Sequence, residues 1–156
     1  MLNRIFPARF DNHYRGHKFA LWLFCPLAFM QVAIALVAIF AADGGAQSAD
    51  GIPLDTFGSG GAEAVIGVVA FLGLAKLLLG FLFVLALVRY RAMIPLMYVL
   101  MLADFLGHKG IALMKPIVRA GASSGSYVNA ALITLCIVGL LLALQGKDHR
   151  QGPPLE

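Results

Sequence analysis

Four long runs of apolar residues follow one another along the chain, and most of the polar residues lie between them. Each run is close to the ~20 residues that an α-helix needs to cross about 30 Å of hydrocarbon. The pattern therefore predicts four membrane-spanning helices. Their approximate bounds are 19–42, 64–88, 92–114 and 127–144.

The amino-acid composition supports a membrane protein. Of the 156 residues, 60% are hydrophobic and 13% are charged, whereas soluble domains average roughly 45–50% apolar and 25% charged residues. A chain of this length holds one domain, and a very short connection between spans favours antiparallel neighbours. We therefore predict an all-α fold, a transmembrane four-helix bundle in up-down-up-down order over residues 19–144.

The segments outside the spans differ in charge, and this difference predicts the orientation of the bundle. Segment 1–18 carries four lysine or arginine residues against one aspartate, whereas the loop 43–63 carries four carboxylates and no lysine or arginine. By the positive-inside rule, segment 1–18, the turn at 89–91 and the tail 145–156 lie in the cytoplasm. Both termini are then cytoplasmic, and 43–63 is the outer loop.

Three polar side chains inside the predicted spans lie at one depth. Gln31, Lys76 and Asp104 are each about 12 residues, or roughly 18 Å, from the cytoplasmic end of their span. Only about three residues separate the second and third spans, so these two helices must be neighbours. Because an isolated charge near the bilayer centre costs several kcal/mol, we predict that Lys76 and Asp104 form an ion pair and that Gln31 hydrogen-bonds to it.

Two more residues are candidates for this intramembrane polar cluster. His108 lies one helical turn outward from Asp104 on the same face, and Thr134 lies roughly 15 Å deep in the fourth span. The helical period predicts an inward-facing stripe on each span. These stripes are Ala28, Gln31, Ala35 and Ala38; Gly73, Lys76 and Gly80; Met97, Met101, Asp104 and His108; and Ala130 and Thr134.

The cluster has two possible roles at this stage. A structural ion pair would fix the register and orientation of the helices. A functional site would bind a proton or an ion that enters from outside through His108, since histidine titrates near physiological pH. The residues alone leave both roles open.

Sequence motifs for zinc-peptidase and disulfide-exchange chemistry are missing. The chain has no H-E-x-x-H or C-x-x-C motif, so we expect neither an enzyme nor a cofactor. His13 and His17 have the i, i+4 spacing of a metal pair on a helix, but a third ligand is missing, so we expect no metal. The net charge of +4 is spread over short loops, which does not indicate nucleic-acid binding.

Three segments carry a resemblance to known sequences: DNHYRGHKFALWLF (11–24), SADGIPLDTF (48–57) and LVRYRAMIPL (87–96). They resemble segments of a group of small, uncharacterised bacterial four-span integral membrane proteins. The resemblance implies four spans and the inner (cytoplasmic) membrane of a bacterium. It implies no activity.

These observations lead to two hypotheses about function. The first is a non-enzymatic integral membrane protein that serves as an accessory or assembly component of a membrane complex. The alternative is a small proton-coupled transporter or channel that uses Asp104 and Lys76. It would act as a dimer, because four helices leave little room for a substrate cavity. The expected partners are the lipid bilayer and either another membrane protein or a second copy of the chain.

Overall fold

The computed structural model describes residues 5–6, 11–120 and 124–145, so most of the predicted tail and part of the basic segment lie outside the described residues. Four long helices are present in these ranges: α1 (Lys18–Phe40), α2 (Ser59–Val88), α3 (Ile94–Met114) and α4 (Ser124–Leu144). Each is long and apolar enough to cross a membrane. The prediction of an all-α protein with four spans is confirmed.

Two short 3-10 helices connect the long ones. Leu54–Thr56 lies in the segment before α2, and Arg91–Met93 leads directly into α3, where Pro95 occupies the first turn. Proline suits this position because the first-turn N–H groups have no partner within the helix. α2 begins at Ser59 rather than near 64, so Gly60 and Gly61 lie in its first turn.

The four helices pack as a bundle. α1 packs most extensively against α2 and also contacts α4, and α4 packs in turn against α3. The contact between α2 and α3 is narrower, although only a short turn joins them. The structure thus confirms that α2 and α3 touch. However, α2 packs mainly against α1, and α3 packs mainly against α4.

One end of the bundle holds the start of α1 and the end of α4, and we call it the terminal end. His17 N donates a hydrogen bond to Leu142 O at 3.3 Å, and Ala92 N donates to Asp11 O at 3.3 Å. The non-helical segment 11–17 therefore connects the end of α4 with the turn between α2 and α3 through these two bonds. Which end of the bundle faces the cytoplasm stays a prediction.

The opposite end, which we call the loop end, is covered by segment 41–58. The carbonyl oxygen of Gly51 accepts a hydrogen bond from Ala120 N at 2.9 Å, and that of Ala49 accepts from Gly125 N at 3.1 Å. These bonds place the segment beside the end of α3 and the start of α4. Consecutive helices therefore run in opposite directions.

Asp43 orders the first turn of the loop-end segment. Its carboxylate accepts hydrogen bonds from Ser48 N at 2.7 Å and Gly45 N at 2.9 Å. The bond from Ser48, followed by that from Gly45, lowers the pKa of Asp43 to about 2. Gly44 and Gly45 adopt φ values of 61° and 81°, which side chains rarely tolerate.

An aromatic core fills the terminal half of the bundle. Phe24 makes edge-to-face contacts with Tyr98 and Phe83, with ring centroids 5.1 and 6.0 Å apart. All three side chains are fully buried, and the Tyr98 hydroxyl donates to Ala20 O at 2.8 Å. Gly139 of α4 makes room for the Tyr98 ring, since a Cβ atom there would overlap it. This part of the bundle is therefore densely packed.

Candidate functional site

Asp104 is the centre of a polar cluster between α1, α2 and α3. Lys76 Nζ donates to its Oδ2 atom at 2.9 Å, and Gln31 Nε2 donates to the same atom at 3.0 Å. The Lys76 and Asp104 side chains are only 18% and 15% exposed. The predicted salt bridge between the two helices is present, and Gln31 contacts it as expected.

Small residues allow α1 to approach the face of α2 that carries the lysine. A Cβ atom added to Gly73 would lie 2.8 Å from Ala38 Cβ, and one added to Gly80 would lie 2.9 Å from Val32 Cγ2. Both glycines are buried. This close approach brings Gln31 within reach of the ion pair, because small residues in membrane helices permit short distances between backbones.

His108 contacts both the backbone and the side chain of Asp104. Its Nδ1 atom lies 2.8 Å from the backbone oxygen of Asp104 and 3.3 Å from the carboxylate Oδ1 atom. The side chain is 49% exposed, so its position differs from the inward-facing one that the periodicity predicts. The exposure is shared by the whole stretch 106–114, in which only Gly110 is partly buried.

Gln31 contributes a buried acceptor as well as a donor. The residue is 1% exposed, and its Oε1 atom has no hydrogen-bond partner among the described residues. The oxygen and nitrogen of the Gln31 amide cannot exchange places, because the amide oxygen would then face the Asp104 carboxylate, which is also an acceptor. The cluster therefore combines one cation, one anion, a histidine and an unused amide oxygen.

Thr134 is not part of this cluster, and the predicted stripe on α4 is wrong. Thr134 and Ala130 are both exposed, and the Thr134 hydroxyl donates to Ala130 O at 3.0 Å. A threonine can thus satisfy its hydroxyl within its own helix and needs no polar neighbour. The buried residues on this helix are Leu132, Cys136, Gly139 and Ala143.

The surroundings of the cluster differ toward the two ends of the bundle. On the terminal side, the aromatic core closes the bundle. On the loop side, residues 106–114 of α3 are exposed except for Gly110, which is partly buried. A Cβ atom added to Gly107 or Gly110 would meet nothing within 4 Å. The loop side of the cluster is therefore exposed along this stretch of α3, which the helical period did not predict.

The two N-terminal histidines have local roles. His17 Nδ1 accepts a hydrogen bond from Phe19 N at 3.2 Å and so caps α1, and His13 N donates to Asp11 Oδ1 at 3.1 Å. The segment that carries them is not helical, so an i, i+4 spacing does not align them on a helix face. Within the described ranges, no group of three or more potential metal ligands occurs.

Comparisons with known proteins yield no relative: no family model, curated protein or solved structure matches the chain. No family is therefore identified. The four long apolar helices agree with the resemblance to small four-span membrane proteins in the number of spans. The chain is a small multi-span membrane protein whose helices contact the lipid bilayer.

Proposed function

We propose that this chain is a non-enzymatic integral membrane protein and serves as an accessory or assembly component of a larger membrane complex. One observation carries the proposal. Residues 106–114, inside a candidate membrane span, include a half-exposed histidine, and they are left almost uncovered by the described helices. A span with such a stretch is suited to contact another protein.

The physical argument rests on the scarcity of hydrogen-bonding partners in hydrocarbon. Ionisable residues in membrane spans normally face a protein interior or a water-filled cavity, because lipid chains provide neither donors nor acceptors. Lys76 and Asp104 satisfy each other within the chain. His108 is only partly covered, so a contact with a further protein helix would complete its environment.

The alternative is a small proton-coupled transporter or channel that acts as a dimer. The bond between His108 and Asp104 favours it, because a proton that reaches the imidazole from the loop end arrives beside the carboxylate. On the terminal side, however, the described buried side chains are apolar apart from the Tyr98 hydroxyl and the Cys136 thiol. A polar route across the whole bundle would need groups from a second subunit, so we place the accessory role first.

Purification of the full-length chain from its native membrane in a mild detergent tests the proposal. The accessory role predicts one co-purifying membrane protein at a fixed stoichiometry. Deletion of the chain should also lower the amount of that protein in the membrane. A particle that contains only this chain would contradict the accessory role, and a particle of two copies would favour the transporter.

A further inference from the structure

A cleft lies at the terminal end of the bundle, between the segment 11–17 and the end of α2. Its lining residues are Asp11, Asn12, Val88, Arg89 and Tyr90. Its volume is about 400 Å³, and ligand sites usually measure about 300–1,000 Å³. The backbone hydrogen bond from Ala92 N to Asp11 O, at 3.3 Å, holds the two walls together. The cleft is therefore large enough for a small ligand.

The carboxylate in the cleft is already balanced by a cation. Arg15 donates to Asp11 Oδ2 at 2.5 Å, and this hydrogen bond lowers the pKa of Asp11. The other carboxylate oxygen, Oδ1, accepts from His13 N at 3.1 Å. Arg89 is exposed, and it has no carboxylate partner among the residues that the structure describes. The cleft therefore has one unbalanced positive charge, and this charge favours an anion.

The cleft also contains hydrogen-bond donors that the described part of the chain does not use. The guanidinium of Arg89, the amide of Asn12 and the hydroxyl of Tyr90 make no hydrogen bond within the described ranges. A guanidinium can bind two oxygens of one phosphate with parallel hydrogen bonds. An anion with several acceptor oxygens, such as a phosphate group, therefore matches the donors as well as the charge.

The position of the cleft indicates where this phosphate comes from. Val88 is the last residue of α2, a candidate membrane span, and its side chain is 64% exposed. Arg89 and Tyr90 follow directly, and arginine and tyrosine are typical of the boundary between hydrocarbon and water. The cleft thus has an apolar wall beside a charged one, as a phospholipid has acyl chains beside its phosphate. A soluble phosphate would use only the charged wall.

We propose that this cleft binds the phosphate group of a membrane lipid whose headgroup is negatively charged. Arg89 binds the phosphate, whereas Asn12 and Tyr90 donate to other oxygens of the headgroup. Val88 contacts the start of the acyl chains. A zwitterionic lipid fits less well, because the carboxylate of Asp11, which could bind its ammonium group, is already paired. The proposal does not depend on the accessory role, and it holds for either orientation of the bundle.

Native mass spectrometry of the full-length chain in detergent tests the proposal. The chain is freed of lipid and titrated with phosphatidylglycerol, which is anionic, or with phosphatidylcholine, which is zwitterionic. We expect phosphatidylglycerol to bind about fivefold more tightly, the effect of one basic residue on an anionic lipid. A third titration adds glycerol phosphate to the complex with phosphatidylglycerol. At an equal concentration it should displace little of the lipid, because it has no acyl chains to contact Val88.

Two variants test the residues of the cleft. Arg89→Gln should weaken the binding of phosphatidylglycerol about three- to tenfold and leave that of phosphatidylcholine unchanged. The matched control is Arg119→Gln, which removes the same charge from an exposed residue at the loop end and should bind like the parent chain. Asn12→Asp keeps the size of the side chain but adds a negative charge to the cleft. It should weaken the binding of phosphatidylglycerol by a similar factor.

Three results would overturn the proposal. Equal affinities for the two lipids would show that the cleft does not select a charged headgroup. Equal losses in Arg89→Gln and Arg119→Gln would show that any basic residue attracts the lipid. Displacement of the lipid by an equal concentration of glycerol phosphate would indicate a site for a soluble phosphate. If Arg89→Gln does not fold, Asn12→Asp decides, and an unchanged affinity in that variant also overturns the proposal.

Discussion

At the scale of single residues, Asp104 connects every other member of the polar cluster. One carboxylate oxygen accepts from both Lys76 and Gln31, and the other lies near His108. Removal of this carboxylate would leave a lysine without a counter-charge near the middle of a membrane span. Removal of the lysine would leave the carboxylate with Gln31 and His108 as its side-chain partners. The two residues should therefore depend on each other energetically.

Replacement of these residues singly and together measures that dependence. Lys76→Met and Asp104→Asn should each destabilise the bundle, because breaking one partner of a buried ion pair typically costs about 3–5 kcal/mol. The double replacement should recover much of the loss, since it removes both charges. Thermal unfolding in detergent provides the measurement.

Lys109→Met serves as the control for this series, because Lys109 is an exposed residue of the same helix. It should change the unfolding temperature little. Losses that simply add in the double variant would show that the pair is not energetically coupled. A double variant that is stable but biologically inactive would mean that the charges themselves are used, and this would favour the transporter hypothesis.

At the scale of the helices, polar residues predict an inward face only where another helix approaches them. The pair of Lys76 and Asp104 was predictable because both lie at one depth and a short turn makes their helices neighbours. The face of α4 was not predictable, because its residues are apolar on all sides and Thr134 satisfies its own hydroxyl. The exposure of His108 depends on how closely the other helices approach the second half of α3, which no local pattern encodes.

The packing of α1 on α2 leads to a prediction at this scale. Gly73→Ala should destabilise the bundle by about 1–3 kcal/mol, the usual cost of overpacking a tight contact. The new methyl group would overlap Ala38 Cβ, which has no other rotamer to adopt. Gly67→Ala is the matched control on the same helix, because a Cβ atom there meets nothing within 4 Å. Equal unfolding temperatures for the two variants in detergent would contradict the tight contact.

At the scale of the whole molecule, the two ends of the bundle carry different charges. The described part of the terminal end is basic, with Arg15, Lys18, Arg89 and Arg91 against Asp11. The described part of the loop end is acidic on balance, with Asp43, Asp50, Asp55 and Glu63 against Lys115 and Arg119. The structure supports the grouping of these residues at opposite ends. Assignment of an end to the cytoplasm still rests on the positive-inside rule.

Cysteine labelling tests this orientation. In a variant whose two native cysteines are replaced by alanine, Asp50→Cys should react with a membrane-impermeant maleimide in intact cells. Asn12→Cys, at the terminal end, should react only after lysis. Both positions are exposed, so access to the thiol should not limit the reaction. The reverse pattern would place the loop end, and with it the exposed side of the polar cluster, toward the cytoplasm.

From the salt bridge between α2 and α3 we expect an order in which these helices enter the membrane during synthesis. Lys76 emerges from the ribosome before Asp104, and α2 is apolar enough to carry an unpaired lysine into the bilayer. α3 is the least apolar of the four spans and has the greater need of a partner when it follows. A lysine already in place would then retain α3 in the bilayer. We therefore expect α2 and α3 to insert in two ordered steps, the lysine of the earlier helix retaining the later one.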